Sequence, residues 1–246
     1  MTLVKAPTGP EPLSPVPHIG PVRRAGEEGV RPMFVDLAAF KQTPVSLAPY
    51  PHLVVPGFLP ADAGPAVARD FPKLDVGGLF LPGSAPMGPA LEEIIAHLEG
   101  DAVRALVEEK LGMDLGGRPT LVTLRSRCQP RDGRIHADSK FKLATMLLYL
   151  NEPWMARGGR LRILNSGEDI EDYAGEVSPD FGTLVCFKVQ ANSWHGHKPF
   201  VGPRRYVMVN YCYDQTVRDA EAARHRMSTR VKKVKRFFSA PQGEMA

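Results

Sequence analysis

The feature that most constrains the fold is a series of short strand-like segments in the second half of the chain. The segments are rich in Val, Leu, Tyr and Phe, and clusters of Gly, Pro, Asn and Asp separate them, as turns separate strands. Five segments show the pattern clearly and two shorter ones follow it: Leu121–Cys128, Leu143–Leu150, Gly159–Leu164, Thr183–Val189 and Arg205–Tyr213, then Tyr173–Val177 and Ser193–His197. Short strands at this spacing predict a sandwich or a barrel.

Helical periodicity precedes the strands. It is clearest in one stripe of apolar residues at helical spacing: Leu91, Ile94, Ile95 and Leu98. Two short strands, Met33–Leu37 and His52–Val55, are also expected in this part of the chain. Helices first and strands later favour a segregated α+β fold with a mainly β core over alternating βαβ units.

The two ends of the chain differ in composition from the middle. Residues 1–31 are rich in Pro, Gly and charge, which predicts a flexible arm. Residues 215–246 predict a basic C-terminal helix, either a solvated face or a contact for an anionic partner such as nucleic acid. We expect a single domain over 32–246, with 32–119 as mostly helical support and 120–214 as the β core.

The positions of the cysteines and the lack of long apolar runs predict in which cellular compartment the protein is found. Cys128, Cys186 and Cys212 lie in apolar strand-like runs, and none belongs to a C-x-x-C pair. We therefore expect buried free thiols in a reducing compartment, with neither a disulfide framework nor a structural zinc site. The N-terminus lacks the apolar region of a signal peptide, and no apolar run reaches the ~20 residues of a membrane span. These features predict a cytoplasmic protein with no membrane contact.

A His-x-Asp pair and a later histidine segment predict a metal site. His136 and Asp138 are two positions apart, so on a strand both side chains would point to the same side. His195 and His197 follow within the strand region. Two histidines and one carboxylate are the ligands of a non-haem Fe(II) facial triad, which leaves positions for an organic cosubstrate and O₂. A zinc hydrolase uses the same ligand types, but the sequence has no H-E-x-x-H helix.

The sequence from Leu121 to Tyr213 resembles the Fe(II)/2-oxoglutarate-dependent dioxygenases, in particular their prolyl-4-hydroxylase-like branch. The resemblance rests on the order and spacing of five pieces: His136-Ala-Asp138, Thr145-Met-Leu-Leu-Tyr149-Leu-Asn151, Gly158-Gly159-Arg-Leu, Pro179-Asp-Phe-Gly182-Thr-Leu-Val-Cys-Phe187 and Trp194-His195-Gly-His-Lys-Pro199-Phe-Val-Gly202-Pro-Arg204-Arg205. It implies a double-stranded β-helix (jelly-roll) with supporting helices on the outside. It also implies an oxygenase that uses Fe(II), 2-oxoglutarate and O₂ to hydroxylate an unidentified substrate, giving succinate and CO₂.

The resemblance also selects the distal metal ligand. In the family a proline stands four residues, and an arginine nine residues, after that histidine. His195 meets this count with Pro199 and Arg204, whereas His197 does not. The metal ligands and catalytic residues that the resemblance implies are His136, Asp138 and His195. His197 stays a lesser candidate for a contact behind the ligands or with the substrate.

The same resemblance implies a binding site for the cosubstrate. Arg204 is similar to the family residue that holds the far carboxylate of 2-oxoglutarate, a role that suits a permanently charged planar guanidinium. Tyr149 matches the family tyrosine that donates to the same carboxylate. By strand alternation, Leu147 and Thr145 share the face of Tyr149 and are expected to line the cosubstrate pocket. Arg205 should point the other way and is a lesser candidate.

One departure from the family lies just before the His-x-Asp pair. Many relatives carry a tyrosine there, and this chain offers Gln129 as a candidate polar contact in its place. The same stretch holds four arginines: Arg125, Arg127, Arg131 and Arg134. They are either solvent-facing or, with Arg127 as a site candidate, hold an anionic substrate near the metal. The substrate class remains open among protein side chains, free amino acids, glycans and nucleobases.

Two other functions fit the same residues. A cupin-like metal enzyme would share the barrel, but its activity would be indifferent to 2-oxoglutarate. A non-catalytic binding module using the basic C-terminal helix would bind nucleic acid with a steep salt dependence and show no iron-dependent turnover.

Overall fold

The computed structural model describes residues 35–239 except Asp75, and side chains as far as Ser228. The elements in chain order are α1 Leu37–Gln42, β1 His52–Val55, a 3-10 turn Ala61–Ala63, α2 Gly64–Asp70, α3 Pro89–Glu99, α4 Asp101–Leu111, β2 Thr120–Cys128, β3 Lys142–Tyr149, β4 Leu161–Leu164, β5 Tyr173–Val177, β6 Leu184–Lys188, β7 His195–Gly196, β8 Gly202–Cys212 and α5 Gln215–Ser239. The flexible arm predicted over 1–31 lies outside the described residues.

The strand predicted at Met33–Leu37 is wrong where the structure describes it. Leu37 is the first residue of helix α1, and the Asp36 side chain accepts a hydrogen bond of 2.7 Å from the backbone N–H of Ala39. An aspartate that satisfies a free N–H in the first turn favours helix initiation. This cap competes with the extended conformation that the apolar run alone indicates.

The strands form two antiparallel sheets. The larger sheet has the order β1-β6-β3-β8-β2, and the smaller has the order β5-β4-β7. A bridge between His136 and His195 extends the smaller sheet beyond β7. From β2 onward the chain passes repeatedly between the two sheets, which is the arrangement of a jelly-roll. The predicted double-stranded β-helix with a mainly β core is therefore confirmed, and β1 adds an edge strand to it.

Strand β3 shows how the two faces of the larger sheet are used. Met146 and Leu148 pack in the hydrophobic core that the helices share, whereas Leu147 and Tyr149 pack in a second cluster with residues of β4 and β6. Successive residues of a strand point to opposite faces, so one face receives the helices and the other faces the smaller sheet. The predicted alternation therefore directs odd-numbered residues of β3 into the space between the sheets.

The C-terminal helix predicted from the sequence is present as α5. Its Ala222 packs against Leu121 and Cys212, and the Arg218 side chain donates a 3.0 Å hydrogen bond to the carbonyl of Thr120. Met227, on a different part of the helix, is 67% exposed. Most of the basic side chains that suggested an anionic partner lie beyond Ser228, outside the described side chains.

All three cysteines are buried and free, as the sequence predicted. Burial raises the pKa of the Cys212 thiol to about 11 and raises that of Cys186 further. Both are therefore inert thiols at neutral pH. In the part of the chain described, no helix is long and apolar enough to span a bilayer.

Candidate metal centre

Three side chains meet at the edge of the smaller sheet. His136, Asp138 and His195 each offer a ligand atom, and these atoms all lie within 4.8 Å of one another. The backbones of the two histidines are bonded directly, with His136 N donating to His195 O at 3.0 Å and His195 N donating to His136 O at 2.9 Å. The two imidazole centroids are 4.3 Å apart.

His136 and Asp138 do not lie on a regular strand, the setting in which both side chains would point to the same side. His136 makes one isolated bridge, and Asp138 lies in the loop that leads to β3. The strand that pairs with His136 is β7, which contains two residues and offers too short an edge for a continuous ladder. The loop is fixed instead by side-chain contacts of Asp138.

Both histidines present the same ring nitrogen to the site. Nδ1 of His136 lies 2.9 Å from the Arg134 carbonyl, and Nδ1 of His195 lies 2.9 Å from the Ser193 carbonyl. A carbonyl only accepts, so each Nδ1 carries the proton and each Nε2 keeps a lone pair for a metal. Burial, and then the nearby His136, lower the pKa of His195 to about 4. The His195 imidazole is therefore neutral at ordinary pH.

Asp138 is held at both oxygens. The Lys142 ammonium donates to Oδ1 at 2.9 Å, and the Thr145 hydroxyl donates to Oδ2 at 2.6 Å. Burial alone would raise the pKa of Asp138, but Lys142, His195 and Thr145 together hold it below its usual range. The carboxylate is thus ionised before any metal binds.

A buried asparagine supports this arrangement from the adjacent strand. Thr145 and Asn210 are cross-strand partners on β3 and β8, and their side-chain polar atoms are 3.0 Å apart. The single hydroxyl proton of Thr145 goes to Asp138, so we assign the Asn210 amide nitrogen, which otherwise lacks a partner, as donor to the Thr145 oxygen. A chain of hydrogen bonds therefore runs from Asn210 through Thr145 to Asp138.

The three ligand-type residues line one cavity of about 240 Å³. A cavity of that volume has room for several water molecules or for a small organic acid. The sequence predicted eight of its wall residues: His136, Asp138, Thr145, Leu147, Tyr149, His195, His197 and Arg204. Arg125 also lines the cavity, and the sequence had offered it among four arginines either solvent-facing or near the metal. Eight others were not predicted: Leu79, Asp132, Gly133, Lys142, Leu161, Gly196, Tyr206 and Met208.

Arg204 is a buried cation in the wall of this cavity, with 4% of its surface exposed. Its Nε donates to the Gly159 carbonyl at 2.8 Å, and a terminal nitrogen donates to the Tyr149 hydroxyl at 3.2 Å. The guanidinium carbon lies 5.1 Å from the Tyr149 ring centre and 5.5 Å from that of Tyr206. Within the described residues no carboxylate forms an ion pair with Arg204. A buried charge without an internal partner favours binding of an anion.

His197 lies in the wall, apart from the three clustered ligand atoms. Its Nδ1 donates to the Lys198 carbonyl at 2.8 Å, so Nε2 accepts, and it lies 3.9 Å from the Cys128 sulfur. Burial and the charge of Arg204 lower the pKa of His197 to about 4. This histidine is therefore a neutral polar group beside Arg204.

Three of the lesser candidates fall outside the described wall of the cavity. Arg205 lies on the opposite face of β8 from Arg204, with its guanidinium 5.5 Å from the Phe71 ring centre. Arg127 is exposed, and the Gln129 side chain lies over the backbone of Gly77. The predicted alternation along β8 explains the different positions of the two neighbouring arginines.

An ion pair beside the cavity was not anticipated. Arg125 pairs with Asp132, whose carboxylate also accepts from the Gln129 backbone N–H at 2.8 Å, and the guanidinium lies 5.9 Å from the Tyr206 ring centre. These contacts close the loop between β2 and His136. No sequence spacing signals this pair, because the loop conformation brings the two residues together.

The family comparison matches the part of the chain that carries these residues. Residues 126–213 match a family model described as the 2OG-Fe(II) oxygenase superfamily. The match confirms the resemblance predicted from the sequence, and the predicted Fe(II) and 2-oxoglutarate are the metal and cosubstrate of that family's name. No curated protein sequence matches the chain.

Several solved structures of prolyl hydroxylases are similar to this chain. A prolyl-4-hydroxylase of Pseudomonas putida is 22% identical, covers 73% of this chain and 99% of its own, and has a TM-score of 0.48. The viral collagen prolyl hydroxylase of Paramecium Bursaria Chlorella virus-1 is 16% identical, with coverages of 67% and 90% and a TM-score of 0.46. A Trichoplax adhaerens prolyl hydroxylase, solved with a hypoxia inducible factor peptide fragment, is 18% identical, with coverages of 70% and 86% and a TM-score of 0.42.

Proposed function

We propose that this protein is an Fe(II)- and 2-oxoglutarate-dependent oxygenase that hydroxylates an organic substrate with O₂, giving succinate and CO₂. His136, Asp138 and His195 would hold the iron, because their donor set is that of the facial triad and both imidazoles keep Nε2 free. Iron, cosubstrate and O₂ together supply the oxidising chemistry. The chain binds, orients and shields the reactants.

The observation that carries the proposal is Arg204, which is buried in the same cavity as the three ligand-type residues and has no carboxylate partner among the described residues. A small dicarboxylate bound there would place one carboxylate on Arg204 and the Tyr149 hydroxyl. Its other end would then face the metal ligands. Thr145 and Leu147 would form the wall between the two ends. A cupin-like enzyme that ignores 2-oxoglutarate has no use for this cation.

The substrate is an organic molecule that reaches the open side of the metal centre, where His136 is exposed. The Trichoplax relative was solved with a peptide fragment, which supports a protein side chain as one class to test. Succinate formation without an added substrate is measured first, so that each candidate substrate is compared with that background.

The test is anaerobic reconstitution of the full chain with Fe(II) and 2-oxoglutarate, followed by O₂ and measurement of succinate. His136→Ala, Asp138→Ala and His195→Ala should each lose metal affinity by more than the about 10- to 100-fold that outer partners contribute. His197→Ala is the matched control and should keep metal affinity close to that of the wild type.

Two outcomes contradict the proposal. One is a wild-type protein that fails to bind iron without O₂ present. The other is iron binding that survives His195→Ala but is lost in His197→Ala. Consumption of O₂ that does not respond to 2-oxoglutarate would favour the cupin-like alternative.

A further inference from the structure

Lys142 is the one described lysine in the wall of the cavity, and the sequence reasoning did not single it out. Its side chain is 11% exposed, and that of its partner Asp138 is 8% exposed. The ammonium has three N–H groups, and among the described residues its one hydrogen-bond partner at Nζ is Asp138 Oδ1, at 2.9 Å. A nearly buried ammonium with unused donors is costly unless an anion approaches it.

The charges that line the cavity are unequal. Arg125, Lys142 and Arg204 are cations, whereas Asp132 and Asp138 are the carboxylates. Arg125 and Asp132 neutralise each other in a direct ion pair. The remaining described charges are two cations and one carboxylate.

This inference rests on the proposed function. When Fe(II) and 2-oxoglutarate are bound as proposed there, one positive charge in the cavity is left without a partner. Fe(II) brings two positive charges and 2-oxoglutarate brings two negative ones, of which one would be held by Arg204. Asp138 would then be a metal ligand, and its charge would be shared with the iron rather than given to Lys142. The wall of the loaded cavity therefore keeps a net charge of about plus one, nearest the Lys142 ammonium, and outside the wall Glu221 of α5 also lies within electrostatic range of Lys142.

We propose that Lys142 binds a carboxylate of the substrate beside the metal centre, so that the substrate class is organic acids with one carboxylate near the oxidised carbon. A single residual charge suits a carboxylate better than a doubly charged phosphate ester. Two further cations add a positive field near the cavity wall, because exposed Arg131 and Arg134 flank the wall residues Asp132 and Gly133 in the sequence. Such a field raises the rate at which anions approach.

The test measures binding of acids against their amides. The full chain is loaded with Mn(II) and saturating 2-oxoglutarate, and calorimetry follows three probe pairs: N-acetylglycine, N-acetylproline and N-acetylleucine, each with its primary amide. A charge-assisted hydrogen bond contributes about 1.5–3 kcal/mol, which predicts that at least one acid binds about 10- to 100-fold more tightly than its amide. Lys142→Met should abolish this preference, and Lys142→Arg should retain it.

Lys140→Met is the matched control, because Lys140 is exposed and its loss changes the net charge of the protein equally. It should keep the preference for acids. A second arm measures affinity for Mn(II) alone. Lys142→Met should bind Mn(II) as tightly as the wild type or more tightly, since Thr145 still holds Asp138 at Oδ2 and the mutation removes a cation that repels the metal.

Three results overturn the inference. The first is the lack of a preference for the acid in every probe pair with the wild type. The second is a preference that persists in Lys142→Met. The third is weaker Mn(II) binding by Lys142→Met, which would make Lys142 a support for Asp138 and nothing more. Failure of the wild type to bind Mn(II) or 2-oxoglutarate at the loading step would instead contradict the proposed function itself.

Discussion

The imidazole of His197 lies directly on the backbone of Gly133, where a Cβ would fall 2.3 Å from Nδ1 and Cε1 of the ring. The backbone N–H of His197 also donates to the Gly133 carbonyl at 2.8 Å. The loop between β2 and the candidate metal centre is therefore attached to the cavity wall at this point. Gly133 has φ +86, a conformation that costs other residues additional strain.

Gly133→Ala should therefore destabilise the protein through both the strain and the clash, by about 2 kcal/mol or more. Gly117→Ala is the matched control, because Gly117 has φ +64 and nothing within 4 Å of the added Cβ. Urea titration gives the free energy of unfolding of both variants. Adding His197→Ala to Gly133→Ala should relieve the clash but not the backbone strain, so part of the lost stability should return. Equal losses of stability in Gly133→Ala and Gly117→Ala would refute this explanation.

Arg204→Met should weaken binding of 2-oxoglutarate by about 100-fold or more, since a buried charge-assisted contact to the carboxylate is lost. Tyr149→Phe removes one hydroxyl, 3.2 Å from the Arg204 guanidinium, and should weaken binding by about tenfold. Calorimetry with Mn(II)-loaded protein measures both. Arg205→Met serves as the control from the opposite face of β8, and a comparable loss there would contradict the assigned role of Arg204.

Thr145→Val should lower metal affinity by about 10- to 100-fold, because it keeps the shape of the side chain but removes the hydroxyl that orients Asp138. It also leaves the Asn210 amide without its partner. Thr123→Val is a fitting comparison, since Thr123 is fully buried and its hydroxyl lacks a hydrogen-bond partner in the described structure. Metal titration should separate the two variants. Similar affinities would exclude a role for the hydrogen-bond chain.

Metal-free protein should lose stability as the pH falls from about 6.5 to about 4. Burial lowers the pKa of both His195 and His197 to about 4, whereas the unfolded chain takes up protons near pH 6.5. The unfolded state therefore binds more protons across this window, and the free energy of unfolding falls with falling pH. His197→Gln should reduce the slope, as urea titrations at several pH values would reveal. An unchanged slope would mean that His197 is not the titrating group.

Periodicity predicted the parts of the site that lie on regular strands. Thr145, Leu147 and Tyr149 line one cavity because a strand alternates, and the same rule separates Arg204 from Arg205. The start of β8 was placed three residues too late at Arg205. Gly202 and Pro203 carry no apolar pattern, but they pair with Cys128 and Arg127 across a register shift in β2.

Loop contacts could not be predicted in the same way. Lys142 meets Asp138, and Arg125 meets Asp132, because the loop between β2 and β3 brings both carboxylates back to the strands that flank it. The spacing of Lys142 four residues after Asp138 was visible, but such a spacing signals a contact only on a helix. The conformation of an irregular loop depends on tertiary contacts rather than on a local repeat in the sequence.

The reciprocal backbone hydrogen bonds between His136 and His195 separate the geometry of the metal centre from the length of the chain that joins these residues. The loops between β3 and β4 and between β4 and β5 can lengthen, shorten or change sequence without moving one histidine relative to the other, whereas the loop before β7 carries the Ser193 carbonyl that orients His195. Variation in those loops would alter which molecules gain entry while the reactive centre stays constant. This protein is therefore a suitable starting point for loop grafting aimed at new substrates.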